Sequence, residues 1–441
     1  MLACQMHWVS HNVPIRVLSQ YSSAMTAGHF SPEIEAKRSP FLFILLGALA
    51  QIHVNFVGEI FLAELLLYSI WVLRKKQLKF NESLFVKNSQ LVIFQKLLIG
   101  AFAAQLITDL IRGANFLDMA KGSSLILFTF FNLIVISKLT MLYSGVVQNI
   151  LIGYGLSYFV GAIIQPNAYF QSYPWKFGFA YGTTLLLFIL LQNYFARNHF
   201  ATAFIILIFA VINLALDTRS LALIIFIAGG IYFLNQLFKK SKVIAIAILI
   251  ISFILAPSLY TLYVSEASKG TFGLIVQQKY FNQSYNTENI FYGGRTDVLV
   301  GLSQIKKNPI AGQGSYAKIS SSNRQEILTE ITRINPNLYP LLSTYQEGKL
   351  IPIHSVLFQF WVWYGIIGAL PWLWYLYTVT WTLRRNMKTG TGIGLVNSYL
   401  LTLVVWDILF SPFGGDRRLT LPLILIALIK GSSDAKDKLV S

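Results

Sequence analysis

Apolar runs of roughly 15–25 residues recur along the chain, each closed by a short break carrying charge, Pro or Gly, and a bilayer core takes about 20 helical residues per crossing. The pattern predicts an all-α polytopic membrane protein of about twelve transmembrane helices. Their centres lie in Phe41–Val54, Ile60–Leu73, Leu91–Ile111, Ser124–Leu142, Val146–Ile164, Phe177–Leu191, Ala201–Leu216, Leu221–Leu237, Val243–Leu262, Ser355–Trp381, Gly394–Phe410 and Leu419–Leu428. One long polar stretch, Tyr263 to Pro352, interrupts the series before Ile353-His354-Ser355 leads into a new apolar helix. The expected organisation is a lead over 1–39, nine spans over 40–262, a loop with short helices over 263–354, three spans over 355–430 and a tail over 431–441.

Charge orients this series. Arg74-Lys75-Lys76, Lys239-Lys240 with Lys242, and Arg384-Arg385 with Lys388 fall on one side of a twelve-span count, which the positive-inside rule assigns to the cytoplasm. Both termini are then cytoplasmic and the polar loop lies outside, in the periplasm or at the outer face of the plasma membrane; the bacterial inner membrane is the expected location. A composition 55% hydrophobic and 12% charged, with mean hydropathy +0.58, excludes a soluble two-domain enzyme. The net charge of +17 is scattered over connectors without Lys/Arg runs interleaved with aromatics, so anionic membrane lipids, not nucleic acid, are the expected partner. The lead has no apolar run of signal-peptide length, and Met25 is an alternative start within it. The single cysteine, Cys4, lies there too, so no intrachain disulfide staples the loop.

Candidate chemistry concentrates in and around the loop. After Gly293-Gly294-Arg295, Val298, Leu299, Leu302 and Ile305 share one face of a short helix over Thr296–Lys307, which Asn308-Pro309 stops. Arg295 at its start adds a guanidinium fork to free backbone amides, a setting for a diphosphate; its bland reading is a pair with Asp297 or Glu288. His354 opens an apolar helix, where the dipole disfavours imidazolium; it is either a base for a hydroxyl proton or an interfacial anchor, and no acidic partner for it stands out. Asp217-Thr218-Arg219-Ser220 places Arg219 at another outward helix start, to close a turn or to reach a lipid-linked phosphate. Secondary substrate-binding candidates are Arg417 and Arg418, with Asp416 as a neutralising neighbour, and Gly312 and Gly314, whose Gly-x-Gly turn lacks the context of a nucleotide fingerprint. No metal-spaced ligand cluster and no Ser/His/Asp hydrolase signature occurs, so neither metal nor cofactor is expected.

Gly294-Arg295-Thr296-Asp297, the helix to Asn308-Pro309, Gly312-x-Gly314, and His354-Ser355 followed by Trp363-Tyr364-Gly365-Ile366-Ile367-Gly368 together resemble the O-antigen ligase/polymerase family over about Gly293 to Leu370, and Thr218-Arg219-Ser220 is similar to a further element of it. The resemblance implies a GT-C-like membrane glycosyltransferase with one large external loop and no nucleotide sugar or metal. Its donor would be an undecaprenyl-diphosphate-linked oligosaccharide, its acceptor a glycan or a lipid A core, and a polysaccharide chain-length regulator a further partner. Arg219, Arg295 and His354 carry over as its functional positions. Ser355 stands where the family often has Asn. Trp406-Asp407 and the Ser411–Gly415 turn lean towards a repeat-unit polymerase over a ligase. A transporter or flippase is the alternative from another class, kept open by Lys96, Asp109 and Lys138 in or near spans.

Overall fold

The computed structural model describes residues 40–56, 58–74, 88–166, 168–194, 198–240, 261–284, 296–334, 345–389 and 394–440. The expected ninth span, but for its end, and Arg295 lie outside them. In chain order the elements are α1 (Pro40–Ala48), β1 (His53–Asn55), β2 (Glu59–Phe61), α2 (Leu62–Leu73), α3 (Ser89–Arg112), α4 (Phe116–Leu142), α5 (Val146–Ile164), α6 (Ala180–Tyr194), α7 (His199–Ala215), α8 (Arg219–Lys240), α9 (Leu274–Ser284), α10 (Thr296–Lys307), α11 (Ser321–Ile334), α12 (Val356–Thr389), α13 (Leu395–Phe410) and α14 (Arg417–Val440). A π-helical turn, Trp175–Phe179, feeds α6.

Among the described residues six helices are long and apolar enough to cross a bilayer, and α2, α7 and α13 are shorter apolar helices. Large apolar side chains such as Ile107, Leu110, Phe204 and Val211 are exposed, while Gln105, Asp109, Asn132 and Asn213 are buried. That inversion of a water-soluble surface suits helices that meet lipid outside and each other's polar groups inside.

The first predicted span departs from the sequence reading. Helix α1 stops at Ala48, and the chain then forms an antiparallel hairpin in which Val54 pairs with Ile60. Gln51, His53 and Asn55 alternate with Ile52, Val54 and Phe56, a period-two pattern that favours a strand. The helix predicted over Thr296–Lys307 is present as α10, but its buried face is not the one expected: Val300 and Ile305 are buried, whereas Leu302 is 40% exposed.

Side-chain bonds fix which helix ends lie together. Ser355 Oγ donates to the Ile408 carbonyl at 3.0 Å, so the start of α12 meets the end of α13. At the other end of α13 the Val396 amide donates to Gln192 of α6 at 2.9 Å. The start of α6 therefore returns to the first end, where Trp175 Nε1 donates to Asn213 Oδ1 at 3.1 Å, just before α8 opens at Arg219. Helix α3 runs antiparallel to α12: Trp374 Nε1 donates to the Gln90 carbonyl at one end, and Arg112 reaches the Gly312 carbonyl at the other. His354, Arg219, Arg112 and the turn at Gly312 thus share one end of the bundle.

Candidate functional site

The loop is locked to a broken helix. Pro309, without an amide hydrogen, stops α10, and the chain passes through left-handed backbone at Gly312 (φ 70°) and Gly314 (φ 93°). Helix α12 loses helical geometry at Gly365 (φ 68°, ψ −166°), which frees the carbonyls of Val362 and Trp363. These accept from the amides of Gln313 at 2.8 Å and Gly314 at 2.9 Å, while the Ile366 amide donates to the Pro309 carbonyl at 3.0 Å. A Cβ on Gly312 would sit 2.5 Å from the Trp363 carbonyl oxygen, so this glycine is spent on close packing.

Helix α3 holds the other side of the turn. Thr108 Oγ1 donates to the Ala311 carbonyl at 2.7 Å, and Arg112 donates to the Gly312 carbonyl and to Asn308 Oδ1. Buried Asp109 accepts from the Ser315 amide at 2.6 Å and from its hydroxyl at 2.7 Å. Asp109, one of the three ionisable groups that kept a transport site open, is therefore the anchor of the Gly-x-Gly turn. Tyr316, next in line, has positive φ (53°) and lies against Trp363 with ring centroids 4.8 Å apart; burial pushes its phenol up.

This frame fixes α10, whose first turn carries Asp297. One carboxylate oxygen lies 3.2 Å from His354 Nδ1, and the other accepts from the Tyr345 hydroxyl at 3.2 Å. Tyr345 is held in turn by Arg324 Nε, which donates to its carbonyl at 3.1 Å. A carboxylate at Nδ1 makes that nitrogen the donor and leaves Nε2 as the acceptor. The His354 side chain is 56% exposed, so the ring is open to a substrate. The pairing was missed in the sequence because Asp297 reads there as a neighbour of Arg295, and only the docked turn brings it to His354.

Arg219 forms a separate cluster at the same end. Its Nε is 3.3 Å from Asp217 Oδ1, and the other Asp217 oxygen is 3.4 Å from Lys176 Nζ. Asp217 is buried in left-handed backbone (φ 56°), a conformation short polar residues tolerate. The Arg219 guanidinium lies 5.5 Å from the Tyr263 ring. Two cations share one carboxylate here; Lys176, in the π-helical turn, carried no sequence signal.

Residues 202–373 match the family model described as O-antigen ligase. The chain carries an O-antigen ligase domain. Arg219, Arg295, Asp297, Gly312, Gly314, His354 and Gly365 all fall within the matched residues. No curated protein matches the chain.

Arg417 and Arg418 follow the O-antigen ligase domain and take different positions. Arg417 Nη2 donates to Asp407 Oδ1 at 3.0 Å, with Asp416 at 3.9 Å. Asp407 precedes Ile408, the residue bound by Ser355, so this pair sits beside the start of α12. Arg418 is 2% exposed and closed in: it donates to Glu64 Oε2 and to the Glu59 carbonyl, each at 2.7 Å, between the rings of Phe61 and Phe128. Asn132 completes the enclosure by donating to Glu64 and to the Arg418 carbonyl. Its position makes Arg418 a structural ion pair rather than an outward cation. Among the described residues no group of three or more His, Cys, Asp or Glu is arranged to hold a metal.

Proposed function

We propose that this protein is a membrane glycosyltransferase of surface polysaccharide assembly, with its site at the outer face of the inner membrane. It transfers a glycan from undecaprenyl diphosphate to an acceptor sugar hydroxyl and works as a repeat-unit polymerase. The observation that carries the reading is the pairing of solvent-open His354 with Asp297 within an O-antigen ligase domain, at the bundle end that also holds Arg219.

The Asp297 carboxylate holds the Nδ1–H tautomer, and His354 Nε2 takes the proton of the acceptor hydroxyl as the oxygen attacks the anomeric carbon. The new bond joins the acceptor oxygen to that carbon, and the bond to the diphosphate oxygen breaks with its electron pair. Arg219, supported by Lys176, and Arg295 match the charge of the departing diphosphate, a task that needs no metal. Helices with apolar outer faces leave the polyprenyl tail in lipid, and the docked loop limits water, favouring transfer over hydrolysis.

The test is transfer in liposomes from purified undecaprenyl-diphosphate oligosaccharide, offered a second lipid-linked oligosaccharide or a lipid A core glycan as acceptor. A polymerase yields lipid-linked dimers. His354→Ala lowers the rate by about 10²–10⁴-fold and Arg219→Ala or Arg295→Ala by about 10²–10³-fold. Full transfer by all three variants would overturn the site, and movement of lipid-linked glycan across the bilayer without a new glycosidic bond would make the protein a transporter.

A further inference from the structure

A second pocket lies at the same end of the bundle, on the side of α4. The hairpin β1–β2 stands over the start of α4 and leaves a groove of about 160 Å³ lined by Phe56, Glu59, Ile60, Lys121, Ser124 and Phe128, among others. This is several times the roughly 30 Å³ share of a water molecule, room for a phosphate and the first carbons of its chain. The groove is separate from the Arg219 cluster, since α4 packs on α2, α3 and α14, whereas α8 packs on α6, α7 and α13.

Its walls are apolar except at Lys121, Glu59 and Ser124. The Lys121 ammonium makes no ion pair among the described residues, and its one partner there is the Tyr316 ring, 5.8 Å away. Glu59, the carboxylate in the lining, is turned towards the Gly415 backbone, 2.5 Å from where a Cβ would stand on that glycine. Asp118, one turn before Lys121, faces Lys318 at 3.7 Å. Lys121 therefore has a half-buried charge that no carboxylate among the described residues pairs with, and a largely apolar pocket beside it.

The groove opens onto apolar surface. Phe56 is 85% exposed and Val54 57% exposed on the hairpin, and Phe116 and Leu117, one turn before Ala120 and Lys121, are exposed as well. Such apolar exposure suits contact with hydrocarbon. A cation at the head of an apolar groove that runs out to lipid is complementary to a lipid phosphate, with the charge on Lys121 and the chain along Phe56 and Phe116.

We infer that this groove seats the phosphate of a second polyprenyl-diphosphate-linked glycan, the acceptor, distinct from the donor beside Arg219. The assignment of that lipid as acceptor rests on the polymerase reading; the occupancy of the groove does not. Tyr316, packed on buried Trp363, stands between Lys121 and the docked turn and so links the groove to the loop.

Native mass spectrometry of the full-length protein in detergent tests the groove, with undecaprenyl diphosphate, phosphatidylglycerol and inorganic diphosphate as separate probes. Wild type and His354→Ala should each bind two undecaprenyl diphosphates. Lys121→Gln should keep one and bind the second at least about tenfold more weakly, since a charge-assisted contact is lost, and Lys121→Arg should restore it. Two equal lipids on Lys121→Gln would overturn the inference. So would displacement of the second lipid by phosphatidylglycerol at equal concentration, or equally tight Lys121-dependent binding of inorganic diphosphate, which would mean that the chain plays no part. Transfer assays separate the two readings: transfer unchanged in Lys121→Gln sinks the acceptor site alone, and two bound lipids with no new glycosidic bond sink the transferase alone.

Discussion

Gly312 and Gly365 face each other across the contact between loop and helix: a Cβ on Gly312 would lie 2.6 Å from the Gly365 amide nitrogen, and both residues have left-handed backbone. Each motif supplies what the other lacks. The broken helix offers two carbonyls and the turn offers two amides, so neither arrangement is satisfied without its partner.

Gly365→Ala should therefore loosen the whole site. Its Cβ would fall 1.7 Å from the Ile310 carbonyl oxygen, and the backbone strain alone costs about 1–3 kcal/mol. Thermal unfolding in detergent, followed by the emission of Trp361 and Trp363 beside the contact, should shift to lower temperature. An unchanged midpoint would mean that the turn is not held this way.

Asp297→Asn keeps the size of the side chain but presents His354 with a donor or an uncharged acceptor. The acceptor KM should stay near the wild-type value while kcat falls by about 10²–10⁴-fold, because orientation and charge support act on the proton transfer. The double variant with His354→Ala should be no slower than His354→Ala alone. Additive losses in steady-state kinetics would show that the two residues act independently.

Asp109 and Ser315 give a graded pair of stability tests. Asp109→Ala leaves the buried Ser315 amide and the Gln105 side chain without their acceptor, at a cost of about 1–3 kcal/mol, whereas Ser315→Ala removes the hydroxyl's contacts with Asp109 and Tyr364 but keeps the amide bond and should cost about 1 kcal/mol. Equilibrium unfolding of both variants checks the order; the reverse order would show that the amide bond contributes little.

Breaking the enclosed ion pair should be more damaging to the fold than to the chemistry. Arg418→Met leaves Glu64 buried without its cation, at a cost of about 3–5 kcal/mol, and adding Glu64→Leu should recover most of that. For whatever folded protein is recovered, the donor KM should match wild type. A raised donor KM in the double variant would return Arg418 to the binding site.

The helical ladder was legible because lipid demands long apolar helices, and composition alone exposes them. The loop helix over Thr296–Lys307 was legible from its periodicity and its Asn308-Pro309 stop, but its buried face was not, since Val300 is buried and Leu302 exposed. What escaped was long-range or inverted in sign. Asp297 could not be matched to His354 by spacing, and Lys176 gave no signal at all. Asp109 in an apolar run looked like a transport group, yet it bonds a loop amide far along the chain. The hairpin after Ala48 was visible in the alternation from Gln51 to Phe56, but the surrounding hydrophobicity outweighed it.

The turn at Asn308–Ser315 is bonded to α3 on one side and to α12 on the other, which makes it a strut between two helices of the bundle. A bilayer thinner or thicker than the apolar length of these helices changes their tilt, and a strut at one end resists that tilt. Because α10 runs directly into the same strut, Asp297 in its first turn is positioned from two helices of the bundle and not from the loop alone.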